Sequence, residues 1–175
     1  MLGNGSFCFN DALPGGDEGV KLGEVWGFMD SQETVGISPD MFGEFIFPAY
    51  KKVADQYGML SYGCCEPVDP FYDDYISKFS KLRKLSISPW ANEAIMGEKL
   101  RGSNIIYHRK PTPNLLGVGK DLDEKALRKH IRTTLEAAKG CQIEFAQRDV
   151  YTLGGNLDKV KRYVDIIREE SMTFV

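Results

Sequence analysis

The sequence predicts an α/β fold of the (β/α)8 TIM-barrel type, in which helices surround parallel strands. Short apolar segments alternate five times with segments of helical periodicity, and short loops join them. No GxGxxG or GxxxxGKS motif follows the first strand, so a nucleotide-binding open sheet is the weaker alternative. The chain has 175 residues, whereas a complete barrel takes roughly 250. We therefore expect part of a barrel, with about five β/α units.

Composition and charge narrow the class of protein. Hydrophobic residues make up 42% and charged residues 27% of the chain, which is typical of a soluble globular domain. The net charge is −3, and no basic stripe interleaves with aromatic residues, so we expect no nucleic-acid partner. We also expect no membrane partner, because no apolar run reaches the roughly 20 residues of a membrane span. The amino terminus lacks the features of a secretion signal, so the expected location is cytoplasmic.

The first 23 residues are rich in glycine and include the turn signal Pro14-Gly15-Gly16. They show no apolar periodicity, so residues 1–23 are predicted to be a leader or loop. Residues 24–175 are predicted to form the partial barrel domain. Cys8 lies in the leader and has no partner near it in sequence, which favours a small buried thiol.

The first predicted unit begins with a strand over residues 25–29. Ser38 then suits the N-cap of a helix, and Pro39 suits its first position. Pro48 falls inside the apolar pattern of this helix, so we expect a kink there.

The remaining units follow the same alternation. Strands are predicted over residues 59–62, 85–87, 104–107 and 142–146. Helices are predicted over residues 70–79, 88–100, 122–138 and 156–170. The last helix is expected to present Val160, Tyr163, Val164 and Ile167 to the core.

Polar side chains follow every predicted strand at its carboxyl end. In a (β/α)8 barrel these ends meet at one mouth, which holds the active site. The alternative is that these residues are polar only because loops are polar. The candidates are Ser31, Gln32 and Glu33; Cys64, Cys65 and Glu66; Ser88 and Trp90; His108, Arg109 and Lys110; and Gln147, Arg148 and Asp149.

The segment Cys64-Cys65-Glu66 is the main catalytic candidate. A thiolate at this position can bind zinc or act as a nucleophile when a nearby cation lowers its pKa. His108, Arg109 and Lys110 are candidates for that cation. The alternative is that both thiols are structural.

The basic residues suggest an anionic substrate. Arg109, Lys110 and Arg148 suit carboxylate binding, with salt bridges to nearby acidic residues as the alternative. His108 is either a site residue or a hydrogen-bonded structural residue. His130 lies inside a predicted helix and is expected at the surface or between helices.

Residues 26–53, WGFMDSQETVGISPDMFGEFIFPAYKKV, resemble a segment of the uroporphyrinogen decarboxylase-like superfamily. Residues 59–67, MLSYGCCEP, resemble the superfamily strand that carries His-x-Cys in corrinoid methyltransferases. Residues 149–170 resemble the last strand end and helix, and SYGCCEPVD, SISPWA and YHRKP together mark one decarboxylase-like subfamily. The resemblance covers about residues 20–170 and implies the C-terminal half of the barrel. The residues that match the first segment are Asp30, Ser31, Ser38, Pro39, Phe42, Phe45 and Pro48.

The resemblance implies two alternative chemistries. The methyltransferases use zinc to activate a thiol that accepts a methyl group from a methylcorrinoid. Here Tyr62 stands in place of the histidine, and Cys141 precedes the fifth strand. The implied zinc ligands are therefore Cys64, Cys65, Glu66 and His108. The true decarboxylases need no cofactor, but their arginine-rich segment and catalytic Asp belong to the other half of the barrel, and their Gly-His-Gly element is not in this chain.

The leading expectation is a methyltransferase-like enzyme with zinc as cofactor, a corrinoid as methyl donor and a corrinoid protein as candidate partner. The first alternative is a cofactor-independent lyase that decarboxylates a substrate such as a porphyrinogen. The second is a non-catalytic half-barrel that needs a partner chain. In each case open sheet edges predict self-association or pairing with a missing N-terminal half.

Overall fold

Five strands form one parallel sheet, and they lie in the same order in space as in the sequence. The computed structural model describes Leu13, Gly15 and residues 21–174. The predictions for Cys8 and for most of the leader lie outside the described residues. Helices accompany the strands, so the predicted α/β class is confirmed.

Three of the four pairs of neighbouring strands end level at their carboxyl ends, but the third strand runs two residues past the second, because Tyr62 lies opposite Leu85. Met29 lies opposite Tyr62, Ile87 opposite Arg109, and Arg109 opposite Phe145. The loops that follow these three pairs of strands therefore begin side by side. The strands are Trp26–Met29 (β1), Met59–Tyr62 (β2), Leu82–Ile87 (β3), Ile106–Arg109 (β4) and Gln142–Phe145 (β5).

The described part of the chain contains six α-helical segments and several shorter turns, most of which connect the strands. No helix there is long and apolar enough to cross a membrane. The α-helices are Pro39–Met41 (α1), Phe47–Ala54 (α2), Glu93–Leu100 (α3), Asn114–Gly117 (α4), Glu124–Ala137 (α5) and Asp158–Thr173 (α6). The 3-10 turns are Leu22–Glu24, Gln32–Thr34, Asp69–Phe71 and Ile76–Lys78, and Phe42–Ile46 is a π-helix.

The first helix begins as predicted. The hydroxyl of Ser38 accepts a hydrogen bond from the N–H of Met41 at 3.2 Å, and Pro39 occupies the first turn. Pro48 provides no N–H for the preceding turn. The π-helix Phe42–Ile46 lies directly before the segment that contains Pro48, so the predicted kink takes the form of a π-helical turn.

The predicted helix over residues 70–79 is wrong, because only two 3-10 turns form there. Its aromatic side chains pack on the preceding helical segment instead. The rings of Phe71 and Phe42 lie 4.9 Å apart, and those of Phe79 and Phe47 lie 5.3 Å apart. Tertiary packing therefore overrides the helical periodicity in this segment.

The fourth strand is shifted by two residues from its prediction. It spans Ile106–Arg109, so His108 and Arg109 lie inside the strand and only Lys110 follows it. Pairing with β3 sets this register, with His108 opposite Ser86.

The helix predicted over residues 88–100 begins later, at Glu93 (α3). The cause is local: the side chain of Asn92 accepts a hydrogen bond from the N–H of Ile95 at 3.1 Å and so caps the helix there.

Alternate residues of the strands separate two different faces of the sheet. The face toward the helices is apolar apart from Arg109, and α2, α3 and the aromatic turns pack on it. A second apolar cluster joins α5 and α6 to β5, with Tyr163 and Ile166 buried. The prediction that Val160 and Val164 face the core is wrong, because their side chains are 39% and 37% exposed. The opposite face, here called the polar face, carries Ser61, Lys84, Ser86, His108 and Glu144.

Candidate functional site

The carboxylate of Glu66 joins the carboxyl ends of β1 and β2. Its Oε1 accepts a hydrogen bond from the backbone N–H of Ser31, and its Oε2 accepts one from the N–H of Cys64, both at 3.0 Å. Glu66 is buried, with 2% exposure. Gly63 precedes this turn with φ +91°, a conformation that favours glycine. The structure thus brings Ser31, Cys64 and Glu66 together.

Lys110 follows β4 and extends toward the same place. Its Nζ donates a hydrogen bond to the carbonyl oxygen of Cys64 at 3.3 Å, and the hydroxyl of Ser86 donates to the same oxygen at 3.0 Å. Ser86 of β3 and Lys110, which follows β4, therefore meet the loop that follows β2. We name this group the carboxyl-edge cluster; it consists of Asp30, Ser31, Cys64, Cys65, Glu66 and Lys110.

Asp30 is the member of this cluster whose carboxyl has a raised pKa. Burial, and then the negative charge of Glu66, raise the pKa of its carboxyl above the ordinary value, while Lys110 acts in the opposite direction. The carboxyl therefore keeps its proton to a higher pH than an exposed aspartic acid. Next to it, the hydroxyl of Ser31 is buried without a hydrogen-bond partner in the described part of the chain. Such a group is suited to a bound ligand.

The two adjacent thiols lie side by side in the cluster. The Sγ atoms of Cys64 and Cys65 are 3.4 Å apart, and both residues are half-buried. Burial, and then the hydrogen bond with Cys65, raise the pKa of Cys64 to about 11. Lys110 acts against this shift, but the Cys64 thiol remains protonated at neutral pH.

Arg109 lies on the face of the sheet that packs against the helices, away from the carboxyl-edge cluster. Its guanidinium forms an ion pair with Glu93 at 2.6 Å and donates to the carbonyl oxygens of Ile87 and Ser88 at 3.1 and 2.6 Å. Nη2 lies 3.4 Å from Nε2 of His130. Arg109 is 2% exposed, so its contacts are those of a buried residue between sheet and helices.

His108 points to the polar face and is 7% exposed. Burial, and then the positive charges of Lys84 and Lys110, lower its pKa to about 3. The imidazole is therefore neutral at pH 7. On the same face Lys84 forms an ion pair with Glu144 at 2.6 Å and lies 5.9 Å from the ring centroid of Trp26.

Trp90 and Arg148 form a second group, which follows β3 and β5. The guanidinium carbon of Arg148 lies 5.1 Å from the ring centroid of Trp90, which is 63% exposed. Arg148 also pairs with Asp149, which has a φ of +49°. The side chain of Gln147 accepts a hydrogen bond from the hydroxyl of Tyr163.

The remaining candidates are placed as follows. Ser88 is fully buried, and its hydroxyl accepts a hydrogen bond from the N–H of Trp90 at 3.3 Å. Gln32 and Glu33 lie in the exposed part of a 3-10 turn after β1. The side chain of Gln32 forms a hydrogen bond with Asp30, which lowers the pKa of that carboxyl in part.

The residues implied as zinc ligands do not lie together as a metal-binding group in the described part of the chain. Within the described residues, no three His, Cys, Asp or Glu side chains are arranged so that they could hold a metal ion. Glu66 already accepts two backbone hydrogen bonds, and His108 belongs to the polar face. Cys141 precedes β5, and its thiol donates to the carbonyl of Gly97 at 3.3 Å. The donor set therefore does not fit a closed zinc site as it stands.

Three residues of the carboxyl-edge cluster and the polar face were not among the candidates from the sequence: Asp30, Lys84 and Glu144. Asp30 directly follows β1, so the strand-end rule that selected Ser31 applies to it equally. Lys84 was missed because the third strand was predicted to begin at residue 85, although it begins at Leu82. Glu144 lies inside β5, where only a known register would have assigned it to a face.

The fold and the cluster define a class of protein: a parallel α/β domain with ionisable side chains gathered at the carboxyl edge of its sheet. Comparison with protein-family models, with curated proteins and with solved structures finds no match for the chain.

Proposed function

We propose that the chain is the C-terminal half of a uroporphyrinogen decarboxylase-like (β/α)8 barrel, and that it acts as a cofactor-independent lyase on a carboxylated substrate. The observation that carries the proposal is the carboxyl-edge cluster itself. A lysine and an aspartic acid whose pKa is raised meet there beside an anchored carboxylate. The carboxyl edge is also where barrel enzymes place their active sites.

In this proposal Lys110 binds a carboxylate of the substrate, and Asp30 supplies the proton. The carbon–carbon bond to the leaving carboxylate breaks and releases carbon dioxide. Its electron pair stays on the substrate carbon, which takes the proton of the Asp30 carboxyl. The raised pKa of Asp30 supports this role, because it increases the protonated fraction of the carboxyl. The Ser31 hydroxyl orients the substrate by a hydrogen bond.

The test is release of labelled carbon dioxide from a panel of carboxyl-labelled acids, including porphyrinogens with several carboxylates. Asp30→Asn should abolish release, and Lys110→Met should raise KM for the active substrate by tenfold or more. Lys161→Met is the matched control, since Lys161 is an exposed lysine on α6. Failure of every substrate to release carbon dioxide, with a correctly folded chain, would reject the lyase.

A second candidate is the methyltransferase-like enzyme, with zinc and a corrinoid as methyl donor. The adjacent thiols of Cys64 and Cys65 favour it, because cysteine sulfur is a zinc ligand, but the described residues supply no third donor beside them. Elemental analysis of the purified chain and of Cys64→Ser/Cys65→Ser tests it. Near-stoichiometric zinc that is lost in the double variant supports methyl transfer, and a zinc-free folded wild type supports the lyase.

The sheet edges support a further part of the proposal, a partner chain or self-association. Within the described residues, β1 and β5 are each paired on one side only. Unpaired edges favour pairing with another strand. Light scattering after size-exclusion chromatography tests this: a dimer or larger assembly is expected, and a stable monomer over a wide concentration range would contradict it.

A further inference from the structure

The adjacent thiols of Cys64 and Cys65 are positioned to react with each other. Their Sγ atoms are 3.4 Å apart, and both residues are half-buried, so that small molecules can reach them. Cys141 lies before β5, with its thiol donating to Gly97. Of the cysteines in the described part of the chain, only the adjacent pair has this geometry.

The backbone of Cys64 is fixed on both sides. Its N–H donates to Glu66, and its carbonyl oxygen accepts hydrogen bonds from Ser86 and Lys110. The thiols are therefore held on an ordered turn, which keeps the two sulfur atoms close.

A bond between adjacent cysteines places unusual demands on the chain. Neighbouring Cα atoms are about 3.8 Å apart, whereas most disulfides join Cα atoms about 4.4 to 6.8 Å apart. The intervening peptide must turn to close the ring, and its carbonyl is the one bound by Lys110 and Ser86. The resulting strain makes such a bond easy to reduce.

We propose that Cys64 and Cys65 form a reversible disulfide with each other, and that its formation releases Lys110 from the Cys64 carbonyl. The oxidant is a low-molecular-weight disulfide. One cysteine thiolate attacks a sulfur of that molecule, forms a mixed disulfide and releases one thiol. The second cysteine then attacks the protein sulfur of the mixed disulfide and releases the second thiol. Two protein thiols are oxidised, and one small disulfide is reduced to two thiols.

The experiment uses the full chain in mixtures of oxidised and reduced glutathione, followed by alkylation and trypsin digestion. Residues 53–78 form one tryptic peptide that contains both cysteines, and residues 140–148 form another that contains Cys141. The first peptide should become two hydrogen atoms lighter and escape alkylation, while the second is alkylated. Cys141→Ser should behave like wild type, and Cys65→Ser should stop at a glutathione adduct on Cys64.

The release of Lys110 is measured separately by NMR of its side-chain ammonium group, with Lys110→Met for assignment. Its signal should move on oxidation and return when dithiothreitol is added. Either of two results overturns the disulfide: only glutathione adducts on peptide 53–78, or a link from this peptide to Cys8 or Cys141. An unmoved Lys110 signal in the oxidised chain overturns its release. None of these readouts depends on the proposed lyase activity.

Discussion

The backbone N–H of Ser31 donates to the carboxylate of Glu66, which lies thirty-five residues further along the chain. The same carboxylate accepts the N–H of Cys64, so one buried side chain fixes the loops after two neighbouring strands. Because these hydrogen bonds join two loops that are far apart in the sequence, the cluster forms only when the fold forms.

Replacing Glu66 by alanine should lower the free energy of unfolding by about 2 kcal/mol. Two buried N–H groups would lose their acceptor, and an unsatisfied buried donor costs about 1 to 3 kcal/mol. Urea denaturation measures the change. Glu98→Ala, at an exposed position on α3, is the matched control. Equal losses in the two variants would contradict the role assigned to Glu66.

The pKa of Asp30, followed by carboxyl NMR, should lie above its ordinary value of 3.8. Glu66→Gln should lower it, because a negative charge is removed, and Lys110→Met should raise it further. The folded state binds the Asp30 proton more tightly than the unfolded state, so this residue makes the chain less stable as pH rises from about 3.8 through the native pKa. Asp30→Asn should remove that slope. A midpoint at or below 3.8 would reject the assignment.

His108 should contribute a pH dependence of the opposite sign. Its pKa is about 3 in the folded chain and 6.5 when unperturbed. Its contribution to stability is complete above pH 6.5 and is lost as pH falls toward 3, by about 1.4 kcal/mol per pH unit at most. Urea denaturation at several pH values should show this slope in wild type and a flatter profile in His108→Gln. The same slope in both proteins would exclude His108 as its source.

Removal of Arg109 should destabilise the chain by about 3 to 5 kcal/mol, because Glu93 would lose its partner in a largely buried pair. The double variant Arg109→Met/Glu93→Gln should recover part of that loss. Thermal and urea unfolding measure both effects, with the exposed Arg168→Met on α6 as control. A double variant less stable than Arg109→Met would argue against the pair as the cause.

The sequence predicts the sheet and most of its helices, but not the absence of a helix over residues 70–79, because apolar strands and helical periodicity alternate with little interruption. It also places Ser31, Cys64, Glu66 and Lys110 correctly after their strands, since each follows an apolar run. Where the apolar run ends with the strand, the position of a residue after the strand can be predicted from the local pattern.

Arg109 shows why the rest could not be predicted. An ionisable residue after an apolar run suggests the end of a strand, yet Arg109 lies within β4 and faces the helices. Its burial depends on Glu93 of α3, which no local pattern links to it. The ionisation of Asp30 likewise depends on Glu66 from another loop.

The strand order has a consequence for how this chain forms and changes. Because each strand pairs with the one before it in the sequence, every strand pairing can form as soon as the later of its two strands has been synthesised. The chain is synthesised from its amino terminus, so the β/α units emerge from the ribosome in the order in which their strands pair. Folding can therefore begin during synthesis. The same order means that duplication or deletion of a unit at either edge leaves the remaining pairings intact, as in repeat proteins.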